Sequence, residues 1–527
     1  MSDKQKSIVG GMTILGLSGF ICKVVGALYK IPLAWIIGDS GLGIYQMVFS
    51  TYNLLLTVSS SGIPVAISRL VSYSLAKDDP RNAKRIFRIA LSLLMLLGFV
   101  SMLLMLVFNP VLARRVGDPQ TGMGFMAIAP ALLLVCVMSA FRGFMQGQQN
   151  MAPTAISQLI EQVGKVAIIL PLAYVGMKIS LAHAAAFVLL GNTLAEAAAV
   201  LFIFIVYRRN RKVFERRRQN EEMPSQSDKS LLRQILSFAI PITLGSCVIP
   251  MAGFIDSGML LNRLMDTGMA LDDARALYGR YSGFVISLIN VPTALSIAIA
   301  MSLVPAISSA IARGDRQAME RQCNMGIRYA FLIGLPCSIG MSVLSARLLA
   351  MIYPFSSPDA LRVTAELLSL SSLTIVLFTV TQSTGGILQG MRKQRIPMYT
   401  LVAGVAVKVL LNYLLVGTPS VNIYGAPMAS IACYTIAMVP NLYFTYKHAR
   451  IKMDGIATVG KPLLATACMG ILLYAGNRHL PQGTHWTLLL ILAGIASYAA
   501  FALWTGAMTR EDLLPFARRF RRKGGNS

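Results

Sequence analysis

The stretch FRGFMQGQQNMAPTAISQLIEQVGKVAIILPLAYVG, from Phe141 to Gly176, is the part of the sequence from which the fold can be worked out. It begins as an apolar helix that ends near Gly147, continues as a short polar turn and resumes at Pro153 as a second apolar helix. Proline is accepted in the first turn of a helix because its missing N–H would have no partner there. Lys165 lies inside the second helix. The stretch therefore predicts two apolar helices joined by a tight polar corner.

The same arrangement recurs from Gly385 to Gly417, in the sequence GGILQGMRKQRIPMYTLVAGVAVKVLLNYLLVG. The Gln-Gly dipeptide of the first copy recurs as Gln389-Gly390 and its lysine recurs as Lys408, each after an offset of 243 residues. A second pair of related segments, 76–83 and 312–318, has a similar offset. Self-similarity at a fixed offset is typical of duplicated architectures. The sequence therefore predicts two halves with the same arrangement of helices.

Composition identifies the class of protein. Of the 527 residues, 55% are hydrophobic and 13% are charged, and the mean hydropathy is +0.62. Apolar runs that are long enough to cross about 30 Å of hydrocarbon recur along the whole chain. The sequence predicts an all-α polytopic membrane protein with fourteen transmembrane helices, at roughly 8–37, 42–76, 84–111, 121–147, 152–177, 181–207, 233–261, 277–311, 322–352, 358–389, 396–417, 421–447, 456–477 and 486–508.

Basic residues dominate the charge of the chain. There are 48 Lys and Arg against 22 Asp and Glu, which gives a net charge of +26. Such an excess can indicate nucleic-acid binding, but most of these residues lie in short loops on one side of the predicted spans, as is typical of cytoplasmic loops. We expect both termini in the cytoplasm, contact with membrane lipids and no nucleic-acid partner. The four His are scattered and the seven Cys have no CxxC spacing, so we expect no metal site, no disulfide framework and no cofactor.

The repeat also predicts the domain boundaries. Its offset contains six predicted spans, an even number, so the two halves should have the same orientation and be related by an axis along the membrane normal. The predicted domains are an N-terminal six-helix bundle, a basic cytosolic linker, a C-terminal six-helix bundle, and helices 13 and 14 with a basic cytosolic tail. Their boundaries are 1–207, 208–232, 233–447 and 448–527.

Charged side chains inside predicted spans are costly and are candidates for function. Lys23 and Lys30 lie seven residues apart on one face of the first span, which contains no acidic residue. Lys30 can reach the headgroups only if that span ends early, and otherwise it faces a cavity. Arg280 opens the eighth span and is either an outer-loop charge or the lip of the same cavity. Arg69 and Arg328 lie near span ends, from which long side chains can reach the headgroups.

Four further charged residues are candidates for a cavity or a gate. Lys165 follows Glu161 by four residues, which is the favourable order for a helical ion pair, so mutual neutralisation and ligand binding are both open. Lys408 lacks this partner in its own helix. Asp256 lies in the seventh span, and Glu196 is a further acid in the sixth. Because basic residues outnumber acidic ones at membrane depth, the cavity should favour an anion such as a phosphate or pyrophosphate group.

Three stretches resemble a known family. They are FRGFMQGQQNMAPTAISQLIEQ (141–162), GFICKVVGALYKIPLAWIIGDSGLGIYQM (19–47) and GIPVAISRLVSYSLAKDD (62–79). They resemble the stage V sporulation protein B and polysaccharide-exporter branch of the MOP (multidrug/oligosaccharidyl-lipid/polysaccharide) flippase superfamily, over most of the first twelve spans. The resemblance implies two six-helix bundles in a V plus two C-terminal helices, and fourteen spans resemble the lipid II flippases and polysaccharide exporters of that superfamily.

The resemblance also implies a site and a function. In lipid II flippases, basic residues on the first helix and at the start of the eighth line the cavity, and the matching positions here are Lys23, Lys30 and Arg280. The family more often has arginine there, and lysine keeps the charge without the bidentate fork. The implied function is a flippase that moves an undecaprenyl-pyrophosphate-linked saccharide, such as lipid II or a polysaccharide precursor, across the bacterial plasma membrane by alternating access. The membrane potential, H⁺ or Na⁺ would drive it.

Two other functions remain open on the residues alone. A cation-coupled multidrug antiporter would need an acid in its cavity, and Asp256 and Glu196 are the candidates. A membrane glycosyltransferase or polymerase would need carboxylates and usually a sizeable outer loop to hold a second substrate. The longest predicted outer loop, 262–276, is short for that role. We therefore expect a transporter rather than an enzyme.

Overall fold

The computed structural model describes residues 28–215, 227–449 and 454–508, together with 18–19, 21–22 and 25–26 of the first predicted span. All regular secondary structure in these residues is helical. The predicted all-α class is confirmed. Lys23 lies outside the described residues, as do residues 216–226 of the predicted linker and 509–527 of the predicted tail.

The helices of the first half follow the predicted spans closely. Helix α1 is broken at Gly38, which adopts a left-handed φ of 67°, and α7 continues beyond its predicted end into the linker region. The elements are α1 (Lys30–Ser60), α2 (Ile63–Ala76), α3 (Pro80–Val107), α4 (Asn109–Val116), α5 (Thr121–Gly147), α6 (Ala152–Met177) and α7 (Leu181–Glu215).

The second half begins with a bent pair of helices and contains two short π-helical segments, Arg280–Val285 and Ile456–Gly460. A short 3-10 turn, Asn422–Tyr424, precedes α16. The α-helices are α8 (Asp228–Ser246), α9 (Val248–Asp266), α10 (Leu271–Gly279), α11 (Ile286–Ala312), α12 (Arg316–Val343), α13 (Ser345–Ile352), α14 (Pro358–Gly390), α15 (Arg395–Val416), α16 (Gly425–Ala449), α17 (Lys461–His479) and α18 (Thr484–Trp504).

Twelve helical stretches of the described chain are long and apolar enough to cross a membrane, and the pair α8–α9, bent by 44°, brings the number to thirteen. These stretches correspond to the predicted spans from 42–76 onward. Most of the first predicted span, 8–37, falls outside the described residues. The chain is a multi-pass membrane protein, while the total of fourteen spans and the cytoplasmic position of the termini remain predictions.

The chain reverses direction at the break in α1. The hydroxyl groups of Tyr29 and Tyr45 are hydrogen-bonded at 2.9 Å. In a straight helix, a separation of sixteen residues would place the Cα atoms of these two tyrosines about 24 Å apart along the axis. The helix that begins at Lys30 therefore ends at Gly38, and the segment after Gly38 runs back beside it as a hairpin. The first predicted span accordingly ends where the sequence placed its end, near residue 37.

The duplicated corners have the same backbone structure. A left-handed residue follows the end of α5, at Gln149 (φ 62°), and the end of α14, at Arg392 (φ 60°). In each corner the N–H of the next residue returns to the carbonyl five positions back, at 3.0 Å and 2.8 Å. The second pair of related segments, 76–83 and 312–318, also has the same local structure in both copies. Asp79 caps α3 and Asp315 caps α12, each through a side-chain oxygen.

Helix packing at the corners is duplicated as well. A Cβ atom on Gly147 would lie 2.9 Å from the carbonyl oxygen of Ser68 in α2, and one on Gly390 would lie 3.1 Å from that of Val304 in α11. Such distances leave little room for a side chain, so the close approach depends on glycine. The contacted residues are themselves 236 positions apart. The repeat seen in the sequence is therefore a repeat of local structure.

By Cα packing the chain divides into two units, residues 1–283 with 412–423 and residues 284–411 with 424–527. In the second unit, two arginines hold the last two helices in place. Arg347 donates to the carbonyls of Leu480 (2.6 Å) and Pro481 (2.7 Å), and Arg328 donates to the carbonyl of Ala507 (2.6 Å). Arg328 thus binds protein backbone rather than headgroups. The predicted domain boundaries rest on the repeat rather than on packing and remain a prediction.

Candidate functional site

The first helical hairpin carries Lys30 at the beginning of α1. Lys30 is partly buried and lies eight residues before Gly38, which corresponds to about 12 Å of helix. Whether Lys30 faces a cavity or reaches the headgroups stays a prediction. Asp39 follows the turn directly and is the nearest acidic residue in sequence. Lys23, the other predicted member of the face, is outside the described residues.

Arg280 contacts this hairpin. Its Nε atom lies 3.3 Å from Oδ2 of Asp39, and the two side chains are 14% and 28% exposed. Gln46, on the returning segment of α1, donates to the carbonyl of Ser282 (3.0 Å) and holds the π-helical segment against α1. π-helical turns often occur at functional sites. Of the two interpretations of Arg280, the structure favours a side chain directed at the hairpin, with an acid that fixes its guanidinium group.

A buried cluster of four charges crosses the first unit. Glu161 accepts hydrogen bonds from Lys165 (2.9 Å) and from Arg142 (3.2 Å). Lys165 also lies 3.3 Å from Oε1 of Glu196, and all four side chains are at most 15% exposed. We call these residues, Arg142, Glu161, Lys165 and Glu196, the charge quartet. The predicted pairing of Lys165 with Glu161 is present, within a larger neutral set.

The quartet lies deep in the membrane-spanning helices. Lys165 is near the middle of α6, and Glu196 is near the middle of the span 181–209. Charges at this depth persist only when they are paired and hydrogen-bonded. Within the described part of the chain, Oε2 of Glu196 and Oδ1 of Asn192 are nevertheless buried without a hydrogen-bond partner. The cluster is therefore balanced in charge and incomplete in hydrogen bonding.

A second buried ion pair joins α10 to the loop before α5. Arg275 makes two hydrogen bonds to Asp118, at 2.6 Å and 3.0 Å, and a third to Asp272 at 2.6 Å. Asp118 is fully buried and Arg275 is 2% exposed. Such a bidentate pair is strong in geometry and costly to break. It fixes the helix that leads directly into Arg280.

The remaining two candidates, Asp256 and Lys408, lie in α9 and α15. Asp256 in α9 accepts a hydrogen bond from Asn412 of α15 (2.7 Å). Lys408 also lies in α15, in the second packing unit, whereas Asp256 belongs to the first. The structure thus brings Arg280 to the hairpin that carries Lys30, and Glu161 to Lys165.

Two of the paired arginines were not predicted as site residues. Arg142 lies near the end of its span and so resembles an ordinary cytoplasmic-end arginine, although its place in the repeated stretch marked the region. Arg275 was counted as a loop residue, and its partner Asp118 is 157 positions away. No local sequence signal identifies such a pair. The described residues contain no group of three or more His, Cys, Asp or Glu that could hold a metal.

Comparison with protein families matches both halves of the chain. The family described as "Polysaccharide biosynthesis protein" matches residues 8–311, and the family MatE matches residues 282–414. The first match includes the hairpin, the charge quartet and Arg280. The two matches are consistent with the repeated structure of the halves.

Two curated relatives come from Bacillus subtilis (strain 168). "Stage V sporulation protein B" is 26% identical over 428 residues, which cover 81% of this chain and 81% of that protein. "Lipid II flippase MurJ" is 25% identical over 469 residues, which cover 85% of this chain and 84% of that protein. The similarity therefore extends over most of each chain rather than over one motif.

Solved structures share the fold. Lipid II flippase MurJ in an inward closed conformation has a TM-score of 0.70 at 13% identity, with 93% of this chain and 98% of that chain covered. An inward-facing multidrug resistance MATE family transporter of the MOP superfamily has a TM-score of 0.68 at 15% identity, with 81% and 94% covered. At such identities the likeness shows the fold alone. Both structures support the all-α membrane fold of this chain.

Proposed function

The chain belongs to the polysaccharide biosynthesis protein family, within the MOP superfamily, and from this premise we propose that it is a flippase for an undecaprenyl-pyrophosphate-linked saccharide. It moves a substrate such as lipid II or a polysaccharide precursor from the inner to the outer leaflet by alternating access. Its named relatives include a flippase and a transporter, and the chain is not an enzyme.

The pairing of Arg280 with Asp39 at the turn of the first hairpin is the observation that carries this proposal. It joins the two elements on which the basic cavity was predicted, the first span and the start of the eighth. In the proposed site, Lys23, Lys30 and Arg280 bind the pyrophosphate group. Asp39 orients the guanidinium group of Arg280, which has further N–H donors for an anion. The polyprenyl chain stays in the bilayer, so only the polar headgroup needs a path through the protein.

The membrane potential favours the outward movement of an anionic headgroup. An anion that leaves a negative-inside cell gains about 2.3 kcal/mol per charge for each 100 mV. Coupling to H⁺ or Na⁺ would add to this. Glu196 is the group through which proton coupling would act, because its Oε2 atom lacks a partner in the described structure. The added proton would be bound by Oε2 of Glu196, and the unpaired Oδ1 of Asn192, one helical turn away, would accept a hydrogen bond from it.

The other charged candidates are assigned to gating. Glu161 and Lys165 tie α6 to α5 and α7, so any change in the charge of the quartet changes how these helices are held. Asp256 is bonded to Asn412 across α9 and α15, and Lys408 lies one turn before Asn412 in the same helix. We assign to these residues the control of helix movement and not the binding of the headgroup.

The acidic residues count against a cation-coupled multidrug antiporter. Such a protein needs a carboxylate that is open to an organic cation. Glu196 is instead paired with Lys165, which is itself paired with Glu161. Asp256 accepts a hydrogen bond from Asn412. The two candidate carboxylates of that alternative are therefore engaged with protein groups.

The proposed location is the bacterial plasma membrane with both termini in the cytoplasm. Cysteine labelling at Gln226, which is outside the described residues, and at Gly483 should report opposite sides of the membrane. Labelling of both positions from outside intact cells would contradict the proposed topology.

The proposed substrate is tested by depleting the protein in its own cells and identifying the lipid-linked precursor that accumulates in the inner leaflet. We expect an undecaprenyl-pyrophosphate-linked saccharide to accumulate. A matched measurement in proteoliposomes follows the transbilayer movement of lipid II with the wild-type protein and with Arg280→Ala. Lys178→Ala, which removes an exposed charge at the end of α6, is the control. Accumulation of no lipid-linked saccharide would contradict the proposal.

A further inference from the structure

The polar corner that opened the sequence comparison has a cavity beside it. Its volume is about 400 Å³, and ligand pockets typically range from about 300 to 1,000 Å³. None of the residues that line it is acidic, and most carry hydrogen-bonding side chains. Those used in the argument are Val65, Ser68, Arg69 and Ser72 of α2 and Gln146 and Gln149 of the corner.

Helix α2 turns a single stripe toward this cavity. Val65, Ser68, Arg69 and Ser72 follow one another at intervals of three or four residues, which places them on one face of a helix. The opposite face of α2, including Ile67, is buried in the hydrophobic core. The stripe is apolar at Val65 and polar toward Ser72. The cavity therefore changes from apolar to polar along the helix axis, as the surroundings of a lipid headgroup do.

Arg69 is held in position for binding. Its guanidinium carbon lies 4.2 Å from the centre of the Phe238 ring in α8. Stacking on an aromatic ring occupies a face of the guanidinium plane, and its N–H groups point outward in that plane. These donors fit the oxygens of a phosphate group. Phe238 thus removes freedom from the side chain without occupying its hydrogen-bond donors.

The beginning of α6 adds to the positive potential. Met151, which precedes α6 and also lines the cavity, forms no side-chain cap, and Pro153 occupies the first turn. The first N–H groups of a helix have no intrahelical partners, and that end of the helix dipole is positive. Gln149, with its left-handed backbone, brings its amide to the same cavity. A cationic side chain, amide donors and a helix N-terminus therefore share one cavity without a carboxylate.

The cavity is separate from the proposed headgroup site. Arg69 follows Asp39 by thirty residues along α1 and α2, which corresponds to about 45 Å of helical rise. The Asp39–Arg280 pair and Arg69 therefore lie toward opposite faces of the membrane. If the predicted orientation is correct, Arg69 lies on the side of the inner leaflet.

We propose that the cavity between α2 and the α5–α6 corner binds a phosphate group. Arg69 provides the charge, Ser68, Ser72, Gln146 and Gln149 provide hydrogen bonds, and Val65 contacts the apolar part of a ligand that has one. Two sources supply this chemistry, the headgroup of an anionic phospholipid and a soluble phosphate. The site does not depend on the identity of the transported molecule.

The experiment measures binding by the purified full-length protein with two probes. One is inorganic phosphate or pyrophosphate, titrated calorimetrically in detergent. The other is phosphatidylglycerol, measured as retained lipid in nanodiscs that contain phosphatidylglycerol and phosphatidylcholine. We expect Arg69→Ala to weaken binding of the recognised probe about tenfold or more, as the loss of a charge-assisted hydrogen bond implies. Arg69→Gln, which keeps the length and loses the charge, should behave alike.

Two matched variants distinguish binding in the cavity from nonspecific attraction by the positive charge of the protein. Lys77→Ala removes a charge from the exposed end of the same helix, outside the cavity. Because this charge is distant from the cavity and screened by salt, its loss should change the binding affinity less than about threefold. Phe238→Leu keeps all charges and loses the stacking, and should give an intermediate loss.

Each outcome has a definite meaning. Arg69-dependent binding of the soluble anion assigns a free phosphate, and Arg69-dependent retention of phosphatidylglycerol alone assigns a lipid headgroup. Equal losses for Arg69→Ala and Lys77→Ala, or no binding of either probe to a folded wild-type protein, would overturn the proposal. Transport of lipid II plays no part in these measurements, so the outcome is independent of the proposed flippase function.

Discussion

The two copies of the repeated stretch have the same backbone and different chemistry. Lys165 in the first copy is surrounded by Glu161, Arg142 and Glu196 in a buried cluster. At the offset of 243 residues, the positions of Glu161 and Arg142 are occupied in the second copy by Gly404 and Gly385. The two corners have the same hydrogen-bond pattern and a left-handed residue at the same place. Duplication has therefore preserved the helical scaffold, whereas two of the four charges of the quartet have glycine at the equivalent positions of the second copy.

From this difference we predict which part of the repeat serves folding and which part serves function. The corner geometry and the close helix contacts occur in both copies, so they are requirements of the scaffold. A buried network of four charges stabilises a protein little relative to apolar residues of similar size. We therefore propose that the quartet acts in helix movement rather than in stability. The following predictions test this comparison, in order of decreasing expected effect.

The largest effect is expected from breaking the quartet in one place. Lys165→Met leaves two carboxylates close together without their shared cation, and removal of one partner from a buried ion pair costs about 3–5 kcal/mol. We expect a correspondingly lower free energy of unfolding in detergent and a lower abundance in the membrane. Lys408→Met is the control from the second copy and should cost less. If the two variants lost the same free energy of unfolding, the lysines of the two copies would not differ in their contribution to stability.

A smaller effect is expected at the proposed headgroup site. Lys30→Ala should reduce the apparent affinity for lipid II by somewhat more than tenfold, because a hydrogen bond to a charged group contributes about 1.5–3 kcal/mol. The free energy of unfolding of the Lys30→Ala variant should change little. Lys30→Arg should keep most of the activity. Both are measured as the concentration dependence of flipping in proteoliposomes, and unchanged flipping by Lys30→Ala at wild-type abundance would contradict the role of Lys30.

The glycine contacts should be similar in the two copies. Gly147→Ala and Gly390→Ala each place a Cβ against a neighbouring helix, and overpacking of this kind costs about 1–3 kcal/mol. The loss should be slightly larger for Gly147, where the nearest atom would lie at 2.8 Å against 3.0 Å for Gly390. Thermal unfolding of the two variants measures the difference. A large loss of thermal stability in only one variant would show that the helix packing differs between the copies although their backbones are alike.

The smallest change in stability is expected when the whole quartet is replaced. A variant with Arg142→Met, Glu161→Met, Lys165→Met and Glu196→Met keeps the side-chain lengths and leaves no unpaired charge or amide, so its free energy of unfolding should differ from that of the wild type by about 1 kcal/mol or less. Flipping should nevertheless fall sharply if the quartet controls helix movement. Normal flipping by this variant would assign the quartet a structural role only.

Much of the architecture follows from the sequence alone. The length and apolarity of the runs determined the class and the positions of the spans from 42–76 onward, because crossing hydrocarbon requires about 20 apolar residues whatever their neighbours are. The two corners were determined by short-range signals, a glycine at the end of one helix and a proline at the start of the next. The i,i+4 spacing of Glu161 and Lys165 likewise indicated their ion pair.

Only the tertiary structure decided which distant charges meet. Arg275 with Asp118, Arg280 with Asp39 and Lys165 with Glu196 are pairs whose members lie far apart in the sequence. Membrane helices are apolar on all sides, so their sequences do not show which face meets which neighbour. The pairs form because a charge buried away from water is stable only beside an opposite charge, and the packing of the helices determines which opposite charge is within reach.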